Sequence, residues 1–165
     1  MKTPFVELSV STILGTFNAR YSEKGLTELT FPNGKMAASK AKSQNGVSPK
    51  IHVWHKTTEA TLKQMLAGHE PKKFPPLDIQ GTEFQKSVWR EMLKIPYGKT
   101  KSYGEVAQAM GKPKAVRAVG SACGANSIPI FVPCHRVLAA NSKIGGFGSG
   151  LGWKCKLLEL EGIAL

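Results

Sequence analysis

The sequence is short of acidic side chains. Its 165 residues contain 11 aspartates and glutamates against 23 lysines and arginines, which gives a formal net charge of +12. A field of this sign attracts polyanions and makes nucleic acid the expected partner, although a basic surface that only maintains solubility is the alternative. The excess is present in both halves, at +5 for residues 1–80 and +7 for residues 81–165, so it is not a basic tail.

Cysteine is also scarce, and long apolar runs are missing. The chain has three cysteines, Cys123, Cys134 and Cys155, and their odd number and their spacings do not resemble a disulfide framework. Free cysteines of this kind are typical of a protein in a reducing compartment. The first twenty residues lack the apolar segment of a signal peptide, and no apolar run approaches membrane-spanning length. We therefore expect a soluble cytoplasmic protein with no membrane partner, associated with the nucleoid if its source is prokaryotic.

Two segments near the start predict strands of a small antiparallel sheet. Residues 5–10 alternate apolar and polar side chains, and residues 26–31 do so less regularly. Residues 33–50 predict a loop of low order, and residues 51–67 predict a helix with an apolar stripe. The proline-rich segment 70–77 cannot continue that helix and predicts a domain boundary there.

His52 and His55 stand three residues apart, a spacing that places them on one face of the predicted helix. A metal site needs further ligands, and the sequence offers no third or fourth candidate nearby. We therefore interpret the two histidines as a solvated or capping pair and expect no metal.

Two capping boxes punctuate the second half of the chain. Thr82 and Gln85 have this spacing before a helix that ends near Pro96, and Ser102 and Glu105 have it before a short helix that ends at Gly111. Pro113 then predicts the start of another helix. Three residues at helical spacing are expected to face inward on that helix: Val116, Val119 and Cys123.

These two short helices form a helix-turn-helix pattern. Lys114 and Arg117 lie three residues apart on the second helix, on a face partly distinct from the apolar stripe. A basic helix presented in this way suits a duplex backbone, although short helix pairs also occur as plain packing units. The overall prediction is an α/β (α+β) protein with an N-terminal antiparallel-sheet domain over 1–78 and a helical domain with a winged-helix-like helix-turn-helix over 79–165.

A thiol and an imidazole follow the most apolar run of the second half. Residues 128–132 predict a buried strand, and Cys134 and His135 come directly after Pro133. Neighbouring residues on a strand point to opposite faces, so the two can cooperate only if the chain turns there. A nearby base lowers the pKa of a thiol and makes it nucleophilic. The alternative is an ordinary buried cysteine beside a surface histidine.

The end of the chain carries a glycine-rich loop and a last helix. Residues 143–150 contain Phe147 among glycines that let a backbone approach a ligand, unless the loop is an ordinary connector. The helix is predicted over 151–161, with Leu151, Leu157 and Leu158 inward. Glu161 stands at its C-terminal end, where the helix dipole disfavours a carboxylate, so a partner such as a histidine is expected.

Taken together, residues 81–165 resemble the O6-alkylguanine-DNA alkyltransferases, with the motifs in that family's order. The resemblance is carried by Ser102-Tyr103-Gly104-Glu105, Arg117-Ala118-Val119-Gly120, Asn126, Pro133-Cys134-His135-Arg136-Val137 and Leu157-Leu158-Glu159-Leu160-Glu161-Gly162. Over residues 1–80 the likeness is weak, and the cysteines that bind a structural zinc in some members are missing. The resemblance therefore implies no metal and no cofactor.

The resemblance implies that Cys134 accepts an alkyl group from O6 of guanine, or from O4 of thymine, in DNA. His135 and Glu161 would draw off the thiol proton through a water molecule, and Asn126 would brace the turn. Because the thioether has no obvious route back, each molecule would act once. The alkylated protein is expected to be the less stable form.

The resemblance also implies a minor-groove complex in which the damaged base rotates out of the duplex. Arg117 would fill the vacated space, and Tyr103 would crowd the rotated phosphate and donate to the base. Lys114, Ala118 and Ser121 are the further expected DNA contacts. The expected base pocket is formed by Val137, Phe147, Gly148 and Ser149, with Phe147 where many members have tyrosine and Gly148 where serine is frequent.

Two other classes of function stay open at this point. A helix-turn-helix regulator whose Cys134 senses alkylation shares the basic helix and the thiol, but it has no need of Tyr103, Arg117 and Glu161 at these spacings. A Cys-His hydrolase gives no purpose to the charge or to the helix pair. We expect a monomer, and the sequence leaves cooperative assembly on DNA open.

Overall fold

The computed structural model describes residues 5–32, 34 and 46–165, and it has the mixed α/β architecture that the sequence predicts. Strands β1 (Val6–Thr12), β2 (Gly15–Tyr21) and β3 (Leu26–Thr30) form an antiparallel sheet in that order. The sequence analysis missed β2. Its glycine, alanine and asparagine are poor strand formers, and β2 is stabilised by pairing with strands on both sides and by burial of Phe17, Ala19 and Tyr21.

Helix α1 (Pro49–Leu66) buries four apolar residues in the core that it shares with the sheet: Ile51, Leu62, Met65 and Leu66. It begins two residues earlier than predicted because Pro49 fits the first helical turn, where its missing N–H costs nothing. The rest of the predicted loop over 33–50 lies largely outside the described residues.

The interpretation of the histidines on α1 as a solvated or capping pair is wrong for one of them. His52 is exposed, but His55 Nε2 lies 3.1 Å from the Ser9 carbonyl oxygen and its Nδ1 lies 2.8 Å from the Tyr21 hydroxyl. Because both nitrogens of His55 have protein partners, this residue joins α1 to the sheet.

The second half of the chain is mainly helical. Its elements are α2 (Glu83–Leu93), β4 (Lys101–Ser102), α3 (Tyr103–Ala109), α4 (Val116–Gly124), β5 (Val137–Leu138) and α5 (Leu151–Leu160). Both predicted capping boxes are present, at Thr82 with Gln85 and at Ser102 with Glu105. The two-residue strands β4 and β5 pair in parallel and connect the start of α3 to the chain after Arg136. The winged-helix description stays a prediction.

The predicted start of α4 at Pro113 is wrong. The Ala115 N–H donates to the Lys112 carbonyl at 2.9 Å, which closes a turn, and α4 begins at Val116. Proline is favoured at the second position of such turns. Lys114 therefore precedes the helix, and Val116 is 39% exposed, whereas Val119 and Cys123 are buried as predicted.

The strand predicted over residues 128–132 is also absent. The Val132 N–H donates to the Ile128 carbonyl at 2.9 Å, and Ile130 has a positive φ of 74°, so this buried segment is a turn. Pro129 has no N–H to give to a ladder. On α5 the buried stripe is Lys154, Leu157 and Leu158, and Leu151, expected inward, is 49% exposed in the first turn.

Buried side chains from the sheet, α1 and the C-terminal elements form one continuous cluster. The Leu29 N–H on β3 donates to the Ser127 carbonyl at 2.9 Å, which joins the sheet to the segment before Cys134. The boundary between residues 78 and 79 stays a prediction. Within residues 5–32, 34 and 46–165, none of the helices has the length and apolar character to cross a membrane.

Candidate functional site

Cys134 opens a short 3-10 turn, Cys134–Arg136, which the N–H of Arg136 closes by donating to the Pro133 carbonyl at 3.0 Å. Asn126 holds the preceding segment from both sides. Its Nδ2 donates to the Val132 carbonyl at 2.8 Å, and its Oδ1 accepts from the Ile128 N–H at 2.9 Å. The chain therefore turns where Cys134 and His135 meet, as their cooperation requires.

His135 and Glu161 form a buried pair. The distance from His135 Nε2 to Glu161 Oε1 is 2.7 Å, and the side chains are 0% and 3% exposed. Arg136 binds the same carboxylate through Nε at 2.9 Å and Nη2 at 2.8 Å, and the Gly98 N–H donates to Oε2 at 3.1 Å. Burial alone would raise the pKa of Glu161, but the hydrogen bonds and charges of His135 and Arg136 outweigh it and lower the pKa to about 2.

These contacts fix the tautomer of His135. Burial lowers the pKa of His135 despite the opposing effect of Glu161, so the imidazole is neutral at pH 7. An ionised carboxylate only accepts hydrogen bonds, so the proton of the neutral ring lies on Nε2. Nδ1 is then the basic nitrogen, and it is buried without a hydrogen-bond partner in the described part of the chain.

The thiol of Cys134 does not bond directly to this nitrogen. Burial raises the pKa of Cys134 to about 11, and a hydrogen bond with Asn126 and the charge of Lys154 oppose the rise without cancelling it. The expectation that the neighbouring base lowers the pKa of the thiol is therefore not met in the DNA-free protein. The thiol is protonated at neutral pH and needs a proton acceptor when it reacts.

Cys134 lines a small cavity, here called the thiol cavity, of about 110 Å³. Its walls are Tyr103, Gly120, Cys123, Gly124, Cys134, Gly146, Phe147 and Gly148. A second cavity of about 700 Å³, here called the outer cavity, is lined by Asn126, Gly148 and Ser149 together with residues of β3 and α5. The structure thus brings Tyr103, Phe147 and Gly148 to the thiol and places Ser149 one cavity away.

Lys154 is a residue of this site that the sequence analysis missed. It is 0% exposed, and its Nζ donates to the carbonyls of Val137 at 2.7 Å and Gly146 at 3.0 Å. Val137, predicted as a base contact, therefore already has one hydrogen bond on its carbonyl, which keeps a second lone pair for a ligand. The spacing of Lys154 with Leu157 and Leu158 was the signal that could have placed it on the buried stripe.

The predicted DNA-contacting residues of α4 share its exposed side. Arg117, Ala118 and Ser121 are all exposed, and residues 117 and 121 are one helical turn apart. Lys114 is exposed in the turn before the helix. Gly120 and Gly124 of the same helix line the thiol cavity, so the helix that carries exposed Arg117 borders the cavity that contains Cys134.

The described residues contain no candidate metal centre. Among the residues that the structure describes, no cluster of three or more histidine, cysteine, aspartate and glutamate side chains could hold a metal ion. The chemistry that the arrangement offers is a buried thiol next to a neutral imidazole that a carboxylate orients.

The sequence model of a family described as 6-O-methylguanine DNA methyltransferase, DNA binding domain, matches residues 83–163. The methylated-DNA–protein-cysteine methyltransferase of Methanosarcina acetivorans is 44% identical over 140 residues, which cover 85% of this chain and 87% of that protein. The protein of that name from Mycobacterium tuberculosis is 56% identical over 85 residues, 52% of each chain. The match thus spans about half the length of the mycobacterial relative.

Solved structures are similar over almost the whole chain. The crystal structure of Mycobacterium tuberculosis OGT in complex with DNA has 36% sequence identity and a TM-score of 0.80, with 94% of this chain and 91% of that chain covered. An O6-methylguanine DNA methyltransferase from Methanococcus jannaschii has 27% identity and a TM-score of 0.66, with 96% and 95% covered. The likeness therefore extends to the N-terminal sheet, where the sequence motifs are weak.

Proposed function

Because this chain belongs to the methylated-DNA–protein-cysteine methyltransferase family, we propose that it repairs DNA by moving an alkyl group from O6 of guanine to Sγ of Cys134. The observation that supports this most is the position of the thiol. Cys134 lines a cavity bordered by α4, the helix that carries exposed Arg117, and the next residue, His135, has the imidazole that Glu161 orients.

The proposed reaction is an in-line displacement at the alkyl carbon. The Sγ proton passes through a water molecule to Nδ1 of His135, which is the nitrogen left basic by the hydrogen bond to Glu161. Sγ forms a bond to the alkyl carbon while the bond from that carbon to O6 breaks, and the electron pair leaves with the purine. The purine takes up a proton, for which the hydroxyl of Tyr103 is the proposed donor.

The product is a thioether on Cys134 and an unmodified guanine. Carbon–sulfur bonds of this kind do not hydrolyse at neutral pH, so each molecule is proposed to act once, as a stoichiometric acceptor. O4-alkylthymine presents the same kind of alkyl–oxygen bond on a smaller base and is proposed as a second substrate.

We propose that DNA binds through α4 in the minor groove, which carries little sequence information and so suits lesions in any context. Arg117 would enter the duplex while the damaged base rotates into the thiol cavity, because a thiol cannot reach O6 inside the stack. Lys114, Ala118 and Ser121 would contact the backbone. Phe147 and the backbones of Val137, Gly148 and Ser149 would hold the base, with Asn126 fixing the turn and the protein acting as a monomer.

The test of this proposal is a mass measurement. The protein is mixed with a duplex that contains one O6-methylguanine, and the intact mass and the modified peptide are determined. We expect one methyl group on the peptide with Cys134, none in Cys134→Ala, and an unchanged yield in Cys155→Ser, which alters an exposed cysteine. Unchanged mass with normal DNA binding would instead support a regulator that senses damage.

The proposed roles on α4 are tested with two variants of exposed basic residues. Arg117→Ala should slow methyl transfer in duplex DNA more than it weakens binding to an undamaged duplex, because the side chain acts on the rotated base. Lys114→Ala, the matched control, should weaken binding to any duplex and reduce the slope of log affinity against log salt by about 1. Affinity that is independent of salt would contradict phosphate contacts.

A further inference from the structure

The thiol cavity and the outer cavity are neighbours that meet at an aromatic pair. Phe147 lines the thiol cavity, Phe31 lines the outer cavity, and Gly148 lines both. The rings of Phe31 and Phe147 contact each other edge to face, with centroids 5.9 Å apart at an interplanar angle of 83°. The two side chains therefore form a partition between a space of about 110 Å³ and one of about 700 Å³.

Phe31 is held rigidly on its side of this partition. Its ring centroid lies 4.8 Å from that of Trp153 on α5 and 5.2 Å from that of Phe17 on β2, and only 4% of the residue is exposed. Phe17 also contacts Trp153, at 5.6 Å, which closes a triangle of three rings. Aromatic pairs at these centroid distances add to the burial energy and favour one geometry.

The position of the Phe147 ring is supported by Phe31 more than by the residues of its own loop. Gly146, Gly148, Ser149 and Gly150 around it are all exposed, and Phe147 is the half-buried member of this segment. Its ring contact with Phe31 joins the loop to the end of β3 in the N-terminal half. The position of the ring that closes the thiol cavity is thus set by a residue 116 positions earlier in the chain.

The thiol cavity is small for the substrates that the proposed function implies. Pockets for small molecules usually measure about 300–1,000 Å³, and the thiol cavity alone falls well short of this range. A base with a methyl group is the smallest case, and a longer or aromatic substituent on O6 needs space beyond the Phe147 ring. The outer cavity is the adjoining space of sufficient size.

We propose that Phe31 is a specificity-determining residue that limits the size of the transferred group by holding the Phe147 ring between the two cavities. This inference rests on the proposed alkyl transfer to Cys134. When the ring yields, the two cavities join beside Gly148, and the outer cavity becomes the subsite for bulky substituents such as benzyl.

The experiment compares rates of transfer from duplexes that contain either O6-methylguanine or O6-benzylguanine, using the full chain. For Phe31→Leu we expect the ratio of the benzyl rate to the methyl rate to rise by ~10-fold or more relative to the wild type, the usual effect of changing the size of an apolar pocket. Phe17→Leu is the matched control, since Phe17 belongs to the same ring cluster and, among the described rings, contacts Phe31 and Trp153 but not Phe147. It should lower the melting temperature in a similar way and leave the ratio unchanged.

A ratio that stays constant in Phe31→Leu, or rises equally in Phe17→Leu, would overturn the partition. If Phe31→Leu is too unstable to assay, Phe147→Leu opens the same partition from the side of the thiol cavity and should raise the ratio. Where Phe31→Leu does fold, the double variant should add little to the effect of either single variant, because both changes remove one contact. Failure of the wild type to transfer methyl would instead reject the proposed function, so the two failures are distinguishable.

Discussion

Each half of the chain contains a cluster in which an arginine pairs with glutamate, and the two clusters differ in how exposed the carboxylates are. In the sheet, Arg20 donates to Glu7 at 2.7 Å and to Glu28 at 2.7 Å, and these carboxylates are 29% and 21% exposed. In the C-terminal half, Arg136 donates to Glu161 at 2.8 Å, and this carboxylate is 3% exposed.

The two clusters also differ in what each carboxylate does besides binding arginine. Arg20 ties three adjacent strands together, because Glu7 lies on β1 and Glu28 on β3. Glu161 also accepts from His135 and so fixes an imidazole whose other nitrogen is buried without a partner in the described chain. A buried polar atom left open costs stability, and such atoms are concentrated where chemistry occurs. The comparison thus separates a cluster that joins strands from one that orients the imidazole beside Cys134.

The largest expected effect that tests this distinction is that of Glu161→Gln. The variant leaves the charge of Arg136 buried without its carboxylate, which should lower the free energy of unfolding by at least ~3 kcal/mol. It also removes the group that directs the His135 proton to Nε2, so methyl transfer should slow by ~100-fold or more. Single-turnover kinetics and urea unfolding measure the two effects. An unchanged rate in a folded variant would contradict the proposed proton transfer through His135 and Glu161.

The carboxylate of Glu161 should also make the free energy of unfolding depend on pH in the acid range. The pKa of Glu161 is lowered from 4.5 to about 2 on folding, so its contribution of ~3 kcal/mol is present above pH 4.5 and disappears as the pH falls toward 2. The difference in unfolding free energy between the wild type and Glu161→Gln should therefore shrink over this range. A difference that stays constant between pH 5 and pH 2 would mean that folding does not lower the pKa of Glu161.

Methylation of Cys134 should disturb the second cluster and spare the first. The residue is 7% exposed, and an added methyl group in a packed site typically costs ~1–3 kcal/mol. The melting temperature should fall after reaction with an O6-methylguanine duplex and removal of the DNA. The hydrogen-exchange rates of the β2 amides around Arg20 should be the same before and after the reaction. Equal melting temperatures before and after the reaction would refute the expected loss of stability.

The smallest effect is expected for Glu28→Gln in the sheet. Its partner Arg20 keeps the bond to Glu7, and partly exposed ion pairs contribute only ~0.2–1 kcal/mol. The variant should therefore lose little stability and should transfer methyl groups at the wild-type rate. A large loss of rate here would show that the sheet cluster also controls the chemistry and would remove the distinction between the two halves.

Sequence reasoning was confirmed where a short motif carries the local structure. Both capping boxes are local, since each joins residues three positions apart, and they were predicted in full. The apolar run before Cys134 was correctly predicted as buried and wrongly as a strand. Burial follows from composition, whereas the turn depends on Asn126, whose side chain takes over backbone hydrogen bonds.

The sequence by itself therefore determined the class of fold, the adjacency of a thiol and an imidazole, and the surplus of positive charge, because composition and spacing carry these properties. Only the tertiary structure decided that Arg136 shares the carboxylate of Glu161, that Lys154 is buried beside the cavity, and that Phe31 contacts Phe147. These contacts join residues far apart in the chain. Packing brings such residues together, and no local pattern of residue types encodes the partner that each will find.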